Sequence, residues 1–375
     1  MTQKLTNTMF TGTLTSSKLT GAMGSNDGSA LTGLGGSGAT ISASDPTIST
    51  NPAGGVGTLW SNSTRGELFC CTDATAGENH WVNIGHGIGD VWQFGGTVAG
   101  FVAGGFETIN VIDKFSFASN TTAADHGDLI TGRYNPAASS SKTHGYAAGG
   151  RVNTPSVTHF TEIDKFSFAS VAAATDHGDL TVARYGAASS SSATHGYTAG
   201  GTPGNTIDKF SFDSAGNATD HGDMVLSIRS VSGHTSATQG FTSGGHISPD
   251  VDNITKYSFA SNVTATDLGN LSTVRSSTSG QSSVTHGFTS GGGPTVSLIE
   301  TFAFASNANA TTHANLSAGQ YGTTGQSSTI HGYVSGGGPA PHTDTIERFT
   351  FASVNTVASH GDLSVGRQDS SGYQY

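Results

Sequence analysis

Residues 145–150 read GYAAGG, and this phrase of glycine, aromatic, two small residues and a Gly-Gly pair occurs six times. The other copies are 100–105 (GFVAGG), 196–201 (GYTAGG), 240–245 (GFTSGG), 287–292 (GFTSGG) and 332–337 (GYVSGG). The step of about 44 to 51 residues is one of the periods that repeat architectures use. Downstream of each copy lies a strand-like run: IDKFSF at Ile112, Ile163 and Ile207, ITKYSF at Ile254, IETFAF at Ile299 and IERFTF at Ile346. A third run follows: DHGDL at Asp125 and Asp176, DHGDM at Asp220, DLGNL at Asp267, THANL at Thr312 and SHGDL at Ser359. An arginine then opens a Ser/Ala-rich run at Arg133, Arg184, Arg229, Arg275 and Arg367, with Gln320 in the remaining copy.

Each repeat thus offers four short extended segments separated by turns. Aromatics two apart, such as Phe115 and Phe117, place both rings on one face of a strand. A single repeat cannot bury those rings alone, but sheets packed face to face in a closed circle bury them on both sides. Composition agrees with an all-β chain. Of 375 residues 54 are Gly and only 11% are charged, against about 25% in an ordinary domain. Long amphipathic helices are not expected, because Gly, Ser and Thr interrupt every window.

The net charge of −11 argues against nucleic acid or an anionic membrane surface as partner. No run reaches the roughly 18 to 20 apolar residues of a membrane span, and residues 1–18 lack the apolar core of a secretory signal. Cys70 and Cys71 are adjacent and have neither a disulfide framework nor metal-ligand spacing.

The order of arginine, small residues, aromatic before Gly-Gly, aromatic strand and short final strand resembles the kelch repeat over about residues 97–375. That resemblance implies a six-bladed kelch-like β-propeller. The tryptophan usual in the last kelch strand is absent, with His126, His177, His221, Leu268, His313 and His360 in its place. This marks a divergent branch. The arginine and Ser-rich strand are missing before Gly100, and the chain ends RQDSSGYQY after residue 366. Arg367, Tyr373 and Tyr375 are therefore expected to close the ring, supplying the inner strand of the first blade. Residues 91–96 (VWQFGG) are the rival donor.

Three segments are expected: an extended attachment segment over 1–53, a small β module over 54–90, and the propeller over 91–375. The first is rich in Thr, Ser, Gly and Ala, and cannot bury enough apolar surface to fold alone. It is either a disordered tail or a segment ordered against partner chains. Its residues 27–34 (DGSALTGL) resemble a phrase of bacteriophage tail-fibre proteins. In 54–85, Trp60, Leu68, Phe69 and Trp81 flank two turn clusters, as in a three-stranded sheet. This stretch resembles a module of phage structural proteins and, more distantly, chitin-binding modules. Two readings stand for Trp60 and Trp81: sugar-stacking residues, or the minimal core of a tiny domain.

Nine of the 15 histidines are repeat positions, including His144, His195, His286 and His331. Equivalent positions spread around a ring do not converge on one ion, so no metal and no cofactor is expected. The repeat arginines are read as forks between blades onto backbone carbonyls, and Lys114, Lys165 and Lys209 as pairing with the next blade. There is no Gly-x-Ser-x-Gly, Walker loop or His-Glu-x-x-His, and an enzyme is not expected.

The connection after each Gly-Gly varies most, from residues 151–162 at its longest to 202–206 at its shortest. All such loops fall on one face, where recognition usually sits. Arg151, Asn153, His159, His246, Asp250 and His342 are the candidate ligand-binding residues there, beside Trp60 and Trp81. The expected role is a virion structural protein (fibre, appendage or capsid-surface component), oligomeric and attached to other virion proteins through 1–53. Its expected ligand is a host-surface glycan or protein. The alternative is a soluble kelch-type protein-binding scaffold.

Overall fold

The computed structural model describes residues 39–64, 66–84, 94–106, 108–354 and 357–375. The rest of the proposed attachment segment, residues 1–38, and the tripeptide 91–93 of the rival strand lie outside the described residues. The chain divides into two compact units, Met1–Val91 and Trp92–Tyr375. All regular structure among the described residues is β.

In the first unit four strands pair in chain order: Thr40–Ser42, Leu59–Asn62, Glu67–Asp73 and His80–Asn83. Three were expected. The extra one is added in parallel, Thr40 opposite Trp60, so the module begins before residue 54. Asn79 anchors the intervening loop, its Nδ2 donating to Ile48 O and Asn51 Oδ1 at 2.7 Å. Phe69, Cys71 and Trp81 form the core, with the Trp60 ring 6.0 Å from Trp81, edge to face.

The second unit contains six four-stranded antiparallel sheets among its described residues. Sheet 2 contains Ala137–Ser140, His144–Ala148, Glu162–Ser167 and Thr175–Asp179, in that spatial order. Sheets 3 to 6 repeat it with first strands Ala188–Ser191, Ser232–Thr235, Ser279–Ser282 and Thr324–Ser327. Sheet 1 takes Ala99–Ala103, Val111–Ser116 and Ala124–Asp128 from the start of the unit and its first strand, Ser371–Gln374, from the C-terminus. Tyr373 pairs with Phe101 and Ser371 with Ala103. The rival segment sits elsewhere: Gly96 donates to Ser327 O (2.9 Å), at the end of the first strand of sheet 6.

Three sets of contacts run from each sheet to the next and return from sheet 6 to sheet 1. In the first, an aromatic of the second strand stacks on the third-strand pair of the following sheet. Phe101 lies 4.7 Å from Phe168, Tyr146 4.7 Å from Phe212, and Tyr333 of sheet 6 lies 4.7 Å from Phe117 of sheet 1. Each such ring is buried, which contributes about 1.5 to 3 kcal/mol. The glycine before it has a steric reason: a Cβ on Gly100 would stand 2.3 Å from Phe115 Cζ, and the other five copies repeat this contact.

In the second set, His126 donates from Nε2 to Ser167 O (2.7 Å) of the following sheet, and His360 closes the series on Ser116 O (2.7 Å). His177, His221 and His313 make the same bond, and Leu268 fills the sixth place with an apolar contact. These rings lie edge-on to the buried aromatic of their own sheet, as His126 does to Phe101 at 5.0 Å. Burial pulls His126, His177 and His360 below the usual imidazole range, so the neutral form is favoured.

The third set is a ring of backbone hydrogen bonds. Asn135, Gly186, Ser230, Ser277, Gly322 and Asp369 each precede a first strand, and all have φ between 53° and 68°. Each N–H donates to the carbonyl of the residue before it in the series, at 2.7 to 3.0 Å, and Asn135 N–H returns to Asp369 O at 2.7 Å.

The repeat arginines depart from expectation. Carbonyl contacts are present, such as Arg133 Nη2 to Ala147 O at 3.1 Å. Their charged partner, however, is a buried carboxylate in the sheet that the arginine opens: Arg133 with Asp164 (2.9 Å), Arg184 with Asp208 (2.6 Å), Arg275 with Glu300 (2.7 Å), and Arg367 with Asp113. Arg229 is not an equivalent. Its neighbour Ile228 accepts from Gly201 N–H (2.7 Å), as Arg133 O accepts from Gly105 N–H. Ile228 is buried, and the carboxylate position holds Thr255. Sheet 4 thus has neither the cation nor the anion, whereas sheet 6 has Gln320 at the arginine position and keeps a buried Glu347, which accepts from Ser317 N–H at 3.1 Å. All three lysines lie over the second-strand aromatic of their own sheets (Lys114 over Phe101, Lys165 over Tyr146, Lys209 over Tyr197), and Lys114 also donates to Phe168 O of the next sheet (3.4 Å).

Candidate binding face

Every loop after a Gly-Gly pair leaves the same end of its sheet, the end marked by the six positive-φ residues. Residues 94–96 lie at the other end of the first strands, where Gly96 meets Ser327 and Ser328. Between the two ends the first strands line a cavity of about 130 Å³, with Phe94 in its wall. That is well below the 300 to 1,000 Å³ of ordinary small-molecule sites. The first strands explain its narrowness: a Cβ on Gly280 would stand 2.2 Å from Gly233 O, and one on Gly325 2.2 Å from Gly280 O. The cavity is therefore too narrow for a ligand of more than a few atoms.

Two positions per sheet shape that face. One is the residue between the repeat arginine position and the ring residue: Tyr134, Tyr185, Arg229, Ser276, Tyr321 or Gln368. The other directly follows Gly-Gly: Phe106, Arg151, Thr202, His246, Gly293 or Gly338. Backbone bonds pair them, Arg151 N–H to Tyr134 O at 3.0 Å and Phe106 N–H to Gln368 O at 2.9 Å.

Across sheets 1 to 3 these positions build an aromatic strip around one cation. The Arg151 guanidinium lies 4.8 Å from the Tyr134 ring centre and 4.1 Å from that of Tyr185. Its Nε donates to Tyr134 Oη at 2.6 Å. His159 packs on Tyr185 (4.9 Å), reached through the small hairpin Arg151–Val152 and Thr158–His159. Burial, then Arg151, pulls the His159 imidazole down. Phe106 meets Tyr134 edge-on at 5.3 Å and His342 at 6.0 Å. Burial pushes the carboxyl of Asp369, in the ring of positive-φ residues, up to about 6, and Arg151 and Asn135 act in the opposite sense.

The sequence candidates thus separate. Arg151 and His159 come together, and His342 joins them through Phe106. His246 and Asp250 form a pair of their own (Nδ1 to Oδ1, 2.5 Å), with Ser276 Oγ donating to Asp250 Oδ2 at 2.9 Å. Asn153 is exposed and stands apart. Trp81 is 1% exposed and cannot offer a face to a sugar, while Trp60 is half-buried with its Nε1 donating to Ser44 O at 2.9 Å. Trp81 is thus a core residue, and Trp60 packs against it partly buried. Arg367 and Tyr373 are fully buried at the seam between the two ends of the unit, and Tyr375 stacks 5.5 Å from Phe168.

Sequence reasoning overlooked Tyr134, Tyr185 and Phe106. The signal was available: both tyrosines directly follow a repeat arginine, and Phe106 directly follows Gly-Gly. Among the described residues no group of three or more His, Cys, Asp and Glu side chains is placed to hold a metal ion. Compared with known proteins, the chain matches no family model and no curated protein.

Proposed function

We propose that this protein is a structural component of a bacteriophage virion (fibre, appendage or capsid-surface element) whose six sheets are the blades of a kelch-like propeller. The propeller displays its loop face for host-surface recognition or to stabilise the particle surface. Binding, not catalysis, is its role. Residues 1–53 attach it to other virion proteins as an oligomer.

The observation that carries this reading is the polarity of the second unit. All six variable loops share one end of the sheets, and residues 94–96 lie at the other. A display module suits that arrangement, with variable loops on one side of the scaffold and residues 94–96 on the other. The Thr/Ser/Gly-rich N-terminus and the phage-type module at 54–85 support the virion assignment over a soluble scaffold. Immunogold electron microscopy of purified particles tests it, with antibody raised against the loop peptide 151–162. Gold on the particle exterior is the expected result. Protein confined to the cytosol of infected cells, with unlabelled particles, refutes it.

A further inference from the structure

Four buried arginines of the second unit, Arg133, Arg184, Arg275 and Arg367, have their guanidinium groups engaged by carboxylates and carbonyls. Arg151 differs. It is half-exposed, and among the described residues only its Nε has a hydrogen-bond partner and no carboxylate lies within 4 Å of it. The architecture does not require it, because the equivalent positions hold Phe106, Thr202, His246, Gly293 and Gly338. Its planar head is nonetheless fixed between the Tyr134 and Tyr185 rings, which restricts rotation and leaves both terminal nitrogens free to donate. A guanidinium held this way has already lost much of the freedom that oxyanion binding would otherwise remove.

We propose that Arg151 is the anchor of a binding site for the carboxylate of an acidic saccharide, with Phe106, His159 and His342 flanking it. The fork matches the two oxygens of a carboxylate. The half-buried rings of Phe106, His159 and His342 offer apolar faces to the C–H side of a sugar ring, while sugar hydroxyls point to water. Among the described residues, Asp369 has a carboxylate that interacts electrostatically with Arg151 and limits the affinity. The site deepens the display reading and rests on it, but its test is independent of where the protein sits on a particle.

The full chain is titrated calorimetrically at pH 7 and low salt with tetragalacturonate, sialyllactose, uncharged maltotetraose and inorganic phosphate. At least one of the two acidic saccharides is expected to bind at least tenfold more tightly than maltotetraose and phosphate. Arg151→Gln should weaken that binding at least tenfold with an unchanged melting curve. Asp369→Asn should strengthen it a few-fold, and the fold tolerates Asn there because Asn135 holds the equivalent ring position. The proposal is overturned if neither acidic saccharide binds at millimolar concentration, if maltotetraose binds equally well, or if Arg151→Gln leaves affinity unchanged. Phosphate binding as tightly as the sugars overturns it too, since the site would then take any oxyanion. Any of these results, combined with gold-labelled particles, rejects the site and leaves the display reading standing.

Discussion

Replacing Arg184 by Ile should destabilise the second unit by about 3 to 5 kcal/mol, the usual cost of breaking a buried ion pair. Replacing Arg184 by Ile and Asp208 by Thr together should restore most of that loss. In the native protein Arg184 Nη2 lies 2.6 Å from Asp208 Oδ2, with both side chains buried. The guanidinium also donates to Thr206 O (3.0 Å) and Thr198 O (3.4 Å). Burial pulls Arg184 below its usual value, and Asp208 offsets that desolvation. Removing the cation alone strands a carboxylate in the interior.

Removing both charges reproduces a site this chain already contains. In sheet 4 the two positions are Ile228 and Thr255, and Thr242 opposite Thr255 bonds to it, Oγ1 to Oγ1, at 2.7 Å. In sheet 3 Thr198 stands opposite position 208, and its buried hydroxyl has no partner. A hydroxyl at 208 would supply one, worth about 1 kcal/mol. The two lost carbonyl bonds cost about 2 kcal/mol together. Isoleucine burial contributes about 1.5 to 3 kcal/mol in the opposite direction. Thr181, whose N–H and hydroxyl bond to Asp208, is exposed and can turn to water.

The double variant should therefore lie within about 2 kcal/mol of the native protein. Thermal unfolding followed by circular dichroism should show the single variant melting about 6 to 15 °C lower and the double within about 5 °C of native. A double variant as unstable as Arg184→Ile, or more so, would refute the claim that the two positions form one electrostatic unit.

Deleting residues 371–375 removes the first strand of sheet 1 and the fully buried Tyr373, which packs 5.0 Å from Phe166. Denaturant unfolding should show a loss of more than about 3 kcal/mol, the lower range for one large aromatic; an unchanged midpoint would mean that residues 91–96 take over the strand. Burial pulls the imidazole of His234 down to about 4, and its Nδ1 donates to Gln281 O (3.1 Å) of the next sheet. Unfolded, that group protonates near 6.5. Its contribution is therefore fully present above 6.5 and is lost as the pH falls toward 4, by about 3 kcal/mol in all. His234→Gln, patterned on Gln281 and Gln326 at the same strand position, should flatten the decline in melting temperature between pH 6.5 and 4.5, and an unaltered decline would exclude His234 as a source. Gly196→Ala drives a methyl to within 2.3 Å of Phe210 Cζ. It should destabilise by about 1 to 3 kcal/mol in the same melting assay, and a neutral effect would remove the steric account of the repeated glycine.

The repeat was legible because the constraints behind it are local. Gly100 lies under Phe115, the aromatics alternate by two, and each Gly-Gly pair has positive φ, so six copies show the same letters. The fourth repeat misled for the complementary reason. Arg229 resembles the repeat arginine, but the structural position belongs to Ile228, and only the pairing with Thr255 reveals the shift. Strand Thr40–Ser42 was hidden because its burial is slight and its partner, Leu59–Asn62, lies across a long loop. The histidines were legible as repeat positions, but the acceptors of His126, His177 and His221 lie on the next sheet, 34 to 41 residues away. The Arg151 strip was half visible. Arg151, His159 and His342 stood out as loop residues, whereas Tyr134 and Tyr185 belong to the strand-entry positions and looked like scaffold.

Circular closure is tested most directly by amide hydrogen exchange at Asn135, Gly186, Ser230, Ser277, Gly322 and Asp369. The two amides at the seam, Asn135 and Asp369, complete the bonds that join the last residues of the chain to the first sheets. A closed ring predicts that all six exchange together, within about tenfold of one another, through opening of the whole unit. Rapid exchange at Asn135 and Asp369, with the other four still protected, would contradict it.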